Sequence, residues 1–582
     1  MAQSGRYRGE RAVRPGVFFP AAGFIVAFVV LAMALPGASF TWITAAQDAV
    51  VDSLGWYYVA VVSAFVVFAL WTVVGRSGEV KLGPDDAEPE FGLGSWFAML
   101  FGAGMGIGLV FWGVAEPLHH FAGIPNRSPE MLQGGDAAGV AEGALVQTLV
   151  HWGLHPWAIY AVVGLAVAYT VHRRGRPVSL RWALESLLGE RRVRGALGDV
   201  IDVTAVVGTV FGVATSLGLG VSQIAAGLEA LDLVRDPGLA GKVLIIGLIT
   251  LLAIVSVATG LHRGIRLLSR LNLGLAGALL VFVAVTGPSL FLLREGVQLV
   301  GVYAQDLVRI SLNTSALSGE RGVEWQSWWT VFYWGWWIAW APFVGVFIAR
   351  ISRGRSVREF VAGVLLVPSA VTLVWFTVFG GSALWHQLRR EGAQFHGGLI
   401  GDDGSVSQAG ALYELLESLP WATVAVGLAV VLVALFFVTS SDSGSLVADM
   451  LASGGRADPP VWSRVFWSLL EGAVAVALLT VGGETGLTAL RYAAVIIALP
   501  FSVVMIAMCV AMVRSLRAER RLQLRIQRGL QREELTARVW QNLAEEGVVH
   551  PDTGPGDDPG DSPDTGGGPE NGSGNSPPGA GL

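Results

Sequence analysis

The chain has 582 residues, of which 53% are hydrophobic and only 14% charged, against about 25% charged in a typical soluble domain. With 39 Lys and Arg against 45 Asp and Glu, the formal net charge is −6. These values exclude a soluble globular enzyme, a disordered chain and a nucleic-acid binder, which would be more charged or basic. They leave a polytopic membrane protein.

Twelve apolar runs are long enough to cross a bilayer: 17–36, 56–75, 93–114, 143–170, 199–229, 240–260, 267–293, 327–349, 359–384, 422–450, 462–482 and 489–513. Span 1 is long for a signal-peptide core and eleven spans follow it, so it reads as a retained span. Loop charge sets the orientation. The N-terminal segment 1–15 carries Arg6, Arg8, Arg11 and Arg14. Basic residues also follow span 2 (Arg76, Lys81), span 4 (Arg173 to Arg194), span 6 (Arg263, Arg266), span 8 (Arg350 to Arg358) and span 10 (Arg456, Arg464). The odd-numbered loops are poorer in Lys and Arg. Both termini are therefore expected in the cytoplasm, flanking a membrane domain over 16–513. The segment 298–324, with Asp306, Arg309, Glu320 and Arg321, is too polar to span and reads as an amphipathic helix along the outer surface. Residues 514–545 hold eight Arg and four acidic residues and read as a basic cytoplasmic helix. Residues 546–582 hold seven acidic residues, no Lys or Arg, and many Gly and Pro, the composition of a disordered tail. The single Cys509 reads as a small buried hydrophobe.

Four stretches inside the spans carry residues suited to chemistry. Span 3 contains Gly102-Ala103-Gly104-Met105-Gly106-Ile107-Gly108. No strand precedes it, so it is not a dinucleotide fingerprint. Two readings remain: small residues that let helices pack closely, or an unwound point whose free carbonyls face a substrate or ion. Glu116-Pro117 is expected to end this span near the outer surface. Span 4 contains His151-Trp152-Gly153-Leu154-His155-Pro156-Trp157-Ala158-Ile159-Tyr160. Pro156 is expected to kink the helix and free a carbonyl, letting Trp152, Trp157 and Tyr160 converge. His151 and His155 read as packing or hydrogen-bonding residues, with no Cys or carboxylate at ligand spacing nearby.

Seven of the 21 Trp fall between Trp325 and Trp340, at and inside span 8. Trp325, Trp328 and Trp329 suit an interfacial belt at the span end. Trp336, Trp337 and Trp340 lie well inside. Trp329, Tyr333, Trp336 and Trp340 share one helix face, and Trp337 sits on the adjacent one. Aromatic rings meeting inside a membrane point to a cage for a quaternary ammonium, where cation–π contacts of about 0.5–2 kcal/mol each hold a cation without a counter-charge. The alternative is plain aromatic packing between helices. Span 10 contains Phe436-Phe437-Val438-Thr439-Ser440-Ser441-Asp442-Ser443. Its hard oxygen ligands suit Na⁺; the alternative is hydrogen bonding between helices. Asp449 and Glu471 read as structural pairing groups near the cytoplasmic side.

The run Trp329–Glu359, the glycine stretch followed by Gly113–Pro117, the stretch 151–160 and Phe436–Ser443 resemble, in order and spacing, the signature of the betaine/choline/carnitine transporter (BCCT) family. The resemblance covers roughly residues 15–515. It implies an all-α fold of twelve transmembrane helices, a LeuT-like 5+5 inverted repeat of spans 3–7 and 8–12, with spans 1 and 2 as extra N-terminal helices. Substrate would sit near the midplane between the broken span 3 and span 8. The family's aromatic box falls on Trp152, Trp157, Tyr160 and Trp337, with Trp336, Trp340 and Phe343 nearby. Gly104, Met105, Gly106 and Gly108 would lie against the substrate. A sodium site would use backbone oxygens of Gly102, Met105 and Phe436 with the hydroxyls of Thr439 and Ser440. A second family sodium site falls on Thr209, near Phe343, with Val213 where a further hydroxyl would stand; Thr215 and Ser216 follow. Sodium-independent exchangers of the family carry an Arg at the position aligned with Leu273, beside Arg270, so its absence favours ion coupling. Some choline-selective relatives have Asp where this chain has Gly108, which favours a zwitterion that brings its own carboxylate.

The resemblance therefore implies a Na⁺-coupled importer of a quaternary-ammonium osmolyte, glycine betaine first, in the cell inner (plasma) membrane. It also implies a homotrimer; several members of the family sense osmotic stress through a cytoplasmic C-terminal helix near anionic lipid, a role open to the basic helix, the alternative being an ordinary positive-inside flank and solvated helix. The alternatives are a choline or carnitine carrier, proton coupling or exchange, and an amino-acid symporter of the same fold. No nucleophile–base pair, metal cluster or nucleotide loop supports an enzyme.

Overall fold

The computed structural model describes residues 13–104, 106–123, 136–259, 262–389, 398–456, 458–483 and 487–546. Met105, the first twelve residues and the acidic tail from residue 547 lie outside this set. Regular structure among the described residues is helical, with one isolated bridge, Lys81 to Ser356. In chain order the helices are α1 (Pro15–Ala34), α2 (Pro36–Val74), α3 (Leu93–Gly104), α4 (Ile107–Ala122), α5 (Ala137–Trp152), α6 (Leu154–Ala168), α7 (Glu185–Leu188), α8 (Glu190–Arg194), α9 (Ala196–Ala230) and α10 (Gly238–Thr259). They continue with α11 (His262–Thr286), α12 (Ser289–Ser311), α13 (Gly319–Trp328), α14 (Thr330–Arg350), α15 (Val357–Leu388), α16 (Ala411–Glu417), α17 (Ala422–Ala452), α18 (Val461–Gly482) and α19 (Leu487–Glu545). Local chemistry sets several starts. Pro15 and Pro36 occupy first helical positions, where the missing N–H costs nothing. Asp136 caps α5 through the Gly139 N–H, and Ser356 with Glu359 forms a capping box on α15.

Eleven helical segments are long and apolar enough to cross a membrane, and they coincide with eleven of the twelve expected runs. The remaining run, 93–114, is divided: α3 ends at Gly104 and α4 begins at Ile107. Helix α2 starts at Pro36, well before the expected residue 56, because residues 36–55, of mixed polarity with Gln47, Asp48 and Asp52 among apolar side chains, continue the same helix. At 1.5 Å per residue it is about 58 Å long, far more than a hydrocarbon core needs. The surface segment expected as one helix over 298–324 is two, α12 and α13. Asn313 accepts the Ser315 N–H at 2.8 Å, an Asx turn that interrupts the helix.

Burial separates a centre from a rim. The most apolar stretch is 94% buried in Gly319–Arg350, 89% in Ala137–Arg173 and 83% in Ala196–Ala230, against 22% in the segments of α10 and α11. Leu244, Leu248, Leu251, Val281 and Val285 are exposed on those two rim helices and suit contact with lipid. Helix α14 is clamped between α6 and α9. A Cβ on Gly212 of α9 would stand 3.1 Å from the Trp340 amide nitrogen, and one on Gly345 of α14 would stand 3.1 Å from the Gly164 nitrogen of α6. Small residues let these backbones touch, as close-packed membrane helices require.

The basic loops meet at one end of the helical body. Arg14 donates to Asp199 at 2.6 Å, and its backbone N–H donates to Ala452 at 3.0 Å. Arg173 donates to the Gly83 carbonyl at 2.9 Å and to Asp85 at 2.5 Å. Ser186 donates to the Ala511 carbonyl at 2.9 Å. At the other end Gln47 donates to Ser327 at 2.6 Å, Gln298 to Glu142 at 2.5 Å and Arg491 to the Trp328 carbonyl at 3.0 Å. Residues from 517 onward form a separate unit, the exposed Arg-rich C-terminal part of α19.

Candidate functional site

The expected break in span 4 is present but lies at Gly153, not at Pro156. Gly153 separates α5 from α6 with φ −89° and ψ −122°. Pro156 is then the third residue of α6, inside the first turn, where a missing N–H breaks no helical bond. The carbonyl released by the break is that of His151, and it accepts the Trp337 indole N–H at 2.9 Å. The break thus ties the end of α5 to the middle of α14.

Around that tie the rings converge. Trp336 and Trp337 stack with centroids 4.5 Å apart and planes 16° apart. Trp152 meets Trp337 at 4.9 Å and 74°, and Trp336 at 6.1 Å and 89°. Tyr160 meets Trp337 edge-on at 6.4 Å, and Trp157 joins the group only through Tyr160, at 5.5 Å. Trp340 packs on Trp336 at 6.2 Å and on Phe343 at 5.8 Å. Trp152 thus stands edge-to-face against the stacked Trp336–Trp337 pair. Trp325 and Trp329, expected at an interface, are fully buried instead. Trp329 is the break between α13 and α14, and its ring lies 4.4 Å from that of His120. The apolar cleft lined by Phe24, Phe28, Leu31, Trp42, Phe211 and Ile496 lies elsewhere and offers no charged side chain to a polar substrate.

Helix α4 reaches the cage at Gly108. A Cβ there would stand 2.6 Å from the Cη2 of Trp336 and 2.9 Å from the Cη2 of Trp152. Only glycine fits without moving both rings. Gly108→Val is expected to reduce uptake about five- to thirtyfold with membrane insertion unchanged, since misplaced rings forfeit about 1–2 kcal/mol of cation contact. Uptake kinetics in cells matched for surface protein measure this, and unchanged kinetics would remove Gly108 from the site.

Glu116, expected near the outer surface, is fully buried on α4. Its Oε2 accepts the Trp152 indole N–H at 2.6 Å and the Tyr333 hydroxyl. Its Oε1 lies 2.7 Å from His151 Nδ1 and 3.3 Å from His120 Nε2. A carboxylate therefore does stand beside His151, thirty-five residues away in sequence. Glu116, His120 and His151 offer three ligand-type atoms within 4.8 Å of one another, but Glu116 already hydrogen-bonds both histidines.

The positions expected to hold sodium fall in two places. Gly102 and Gly104 lie on α3, and Met105 is outside the described residues. A Cβ on Gly106, at the break, would lie 3.8 Å from the Ser440 Oγ of α17. Phe436 is buried one turn earlier. Thr439 donates to Leu435 at 3.0 Å and accepts from Asn272 of α11 at 3.1 Å. The interior-facing polar residue of span 7 is thus Asn272, while Arg270 and Leu273 beside it are exposed. Thr209 is buried, with its hydroxyl donating to Ala205 at 2.8 Å. Val213 lies against Gly444 of α17, and Phe343 is buried beside Trp340. Asp449 accepts from Ser463 and Ser453, and Glu471 from Ser441, bonds within and between α17 and α18.

The family model described as the betaine/carnitine/choline family transporter matches residues 16–521. An uncharacterized transporter of Mycobacterium tuberculosis is 49% identical over 505 residues, covering 87% of this chain and 83% of its own. The glycine betaine transporter 1 of Vibrio parahaemolyticus is 42% identical, covering 87% of this chain and 94% of its own. The high-affinity choline transport protein of Escherichia coli is 40% identical, covering 88% and 73%.

Proposed function

The chain belongs to the betaine/carnitine/choline family of membrane transporters, which are not enzymes, and from that membership we propose that it imports a quaternary-ammonium osmolyte, glycine betaine first, by Na⁺-coupled symport with alternating access. The observation that carries this reading is the corner of Trp152 against the stacked Trp336 and Trp337, closed by Tyr160. Such a site recognises a cation by its charge and rounded apolar surface and needs no N–H on the ligand. A primary amine would require acceptors that these rings do not supply, which disfavours an amino-acid symporter. Gly108 leaves no room for a side-chain carboxylate at the cage, which favours a zwitterion over choline.

Twelve spans, with both termini in the cytoplasm of a plasma-membrane protein, fit the two-ended loop pattern. The N-terminal segment, the loops after spans 2, 4 and 10 and the end of span 12 touch one another. The chain must then cross twice between residues 83 and 173, so α3 with α4 counts as one broken span. That end carries the basic loops and belongs inside. The 5+5 repeat and the homotrimer follow from the family resemblance. In the proposed cycle Na⁺ at the Gly106–Ser440 junction draws the break of span 3 onto α17, completes the cage and permits the inward-facing state.

Uptake of labelled glycine betaine into proteoliposomes, with an inward Na⁺ gradient or with K⁺ in its place, tests the reading. One coupled Na⁺, with 100 mV worth about 2.3 kcal/mol and a tenfold gradient worth about 1.4, supports roughly 500-fold accumulation. Uptake that needs Na⁺ is expected. Equal uptake in K⁺ would replace Na⁺ by proton coupling or exchange. Transport of choline or carnitine without betaine would keep the cage and overturn the substrate.

A further inference from the structure

A carboxylate, Glu116, stands one ring behind the cage. The two oxygens of Glu116 accept from the Trp152 indole and the Tyr333 hydroxyl and face ring nitrogens of His151 and His120. The Thr330 hydroxyl and the Gln147 amide nitrogen each lie 3.1 Å from His151 Nε2. With its proton on Nδ1, His151 therefore donates to Glu116 and accepts on its other side. An acceptor-only group ringed by donors matches an ionised carboxylate. Among the described residues Glu116 forms no ion pair with Lys or Arg. The buried Arg491 acts on Glu116 only through space: its guanidinium lies 4.4 Å from the Trp328 ring centroid and 4.8 Å from that of Phe332 and donates to the Trp328 carbonyl. A carboxylate buried in a membrane without a direct ion-pair partner is costly, and such groups mark function.

We propose that Glu116 is the positioning residue and remote counter-charge of the cage. Through the indole of Trp152 and the phenol of Tyr333 it fixes two ring planes. A carboxylate accepting an indole N–H also pushes electron density onto the ring and deepens the negative face that a cation meets. At low local dielectric its own field reaches across one ring to the head group. A permanently cationic ligand gains from both effects; a neutral head of the same shape gains from neither. This inference rests on the cage reading above.

The test is calorimetric binding to the purified full chain of two ligands: glycine betaine and tert-butylacetate, in which a neutral quaternary carbon replaces the cationic nitrogen. Wild-type protein is expected to prefer betaine by about thirtyfold or more. In Glu116→Gln the betaine affinity is expected to fall about tenfold, while that for tert-butylacetate stays within about twofold. Glu116→Asp keeps the charge but shortens its reach, so both affinities should fall while the preference persists. Equal losses for both ligands in Glu116→Gln would reduce Glu116 to a scaffold. A preference that collapses in Glu116→Asp would overturn the charge effect even if the Gln variant fails to fold. No preference in wild-type protein would instead overturn the cage reading itself, and this inference with it.

Discussion

Replacing Trp337 by Leu is expected to weaken glycine betaine binding about 100-fold. Trp337 is the ring through which the other parts of the cage are joined. It stacks on Trp336, meets Trp152 at 4.9 Å and Tyr160 at 6.4 Å, and donates its N–H to the His151 carbonyl at the helix break. Leu removes a cation–π contact worth about 2 kcal/mol in a desolvated site. It also removes an aromatic pair worth about 1 kcal/mol that holds Trp152 upright, and together about 3 kcal/mol is near two powers of ten. Trp157, one contact further out, provides the comparison: Trp157→Leu should cost tenfold or less, because only Tyr160 intervenes. Titration of each purified variant measures both. Equal losses at the two positions would mean that the rings pack helices and do not form a graded cage.

Much of this site is legible in the sequence, for reasons that can be named. Apolar runs of membrane length announce themselves by composition alone, and eleven of the twelve coincide with helical segments long and apolar enough to cross a membrane. The glycine stretch at 102–108 and the Trp run at 325–340 are unusual enough to be picked out of the sequence, while their placement on facing helices comes from the family resemblance. What the sequence hides is pairing between distant residues. Glu116 looks like the end of a span because Pro117 follows it, yet α4 runs through that proline to Ala122. Only the fold brings in His151 and Tyr333 from elsewhere in the chain. The break at Gly153 is masked by Pro156, the stronger breaker on propensity, because a proline in the first turn disturbs nothing. Asn272 carried a usable signal, a lone amide inside an apolar span, but its partner Thr439 lies 167 residues away. Trp325 and Trp329 mislead for a related reason. They sit at a span end in sequence, but α13, which carries Trp325, packs against α14 and α2, and both rings are buried.

The basic end of the body carries the second large effect, on stability. Arg181 and Asp202 form an ion pair at 2.6 Å with side-chain exposures of 2% and 0%. Asp202 also accepts from Ser179 at 2.5 Å and from the Arg181 backbone N–H at 3.1 Å. One carboxylate on the first turns of α9 thus fastens the loop after span 4 three times. Removing one partner of a buried pair leaves the other charge uncompensated, at a cost of about 3–5 kcal/mol. Here Arg181 keeps Asp199, 2.7 Å away and partly exposed. Asp202→Ala is therefore expected near the lower figure, about 3 kcal/mol, read as a lower melting temperature in detergent. Replacing both partners, as in Arg181→Met with Asp202→Leu, removes the buried charge along with its partner and should recover much of the loss. Betaine affinity of the folded fraction should not change, because neither residue is among those that form the cage. A double variant less stable than Asp202→Ala would show that the hydrogen bonds to Ser179 and the loop backbone, rather than the buried charge, hold this end together.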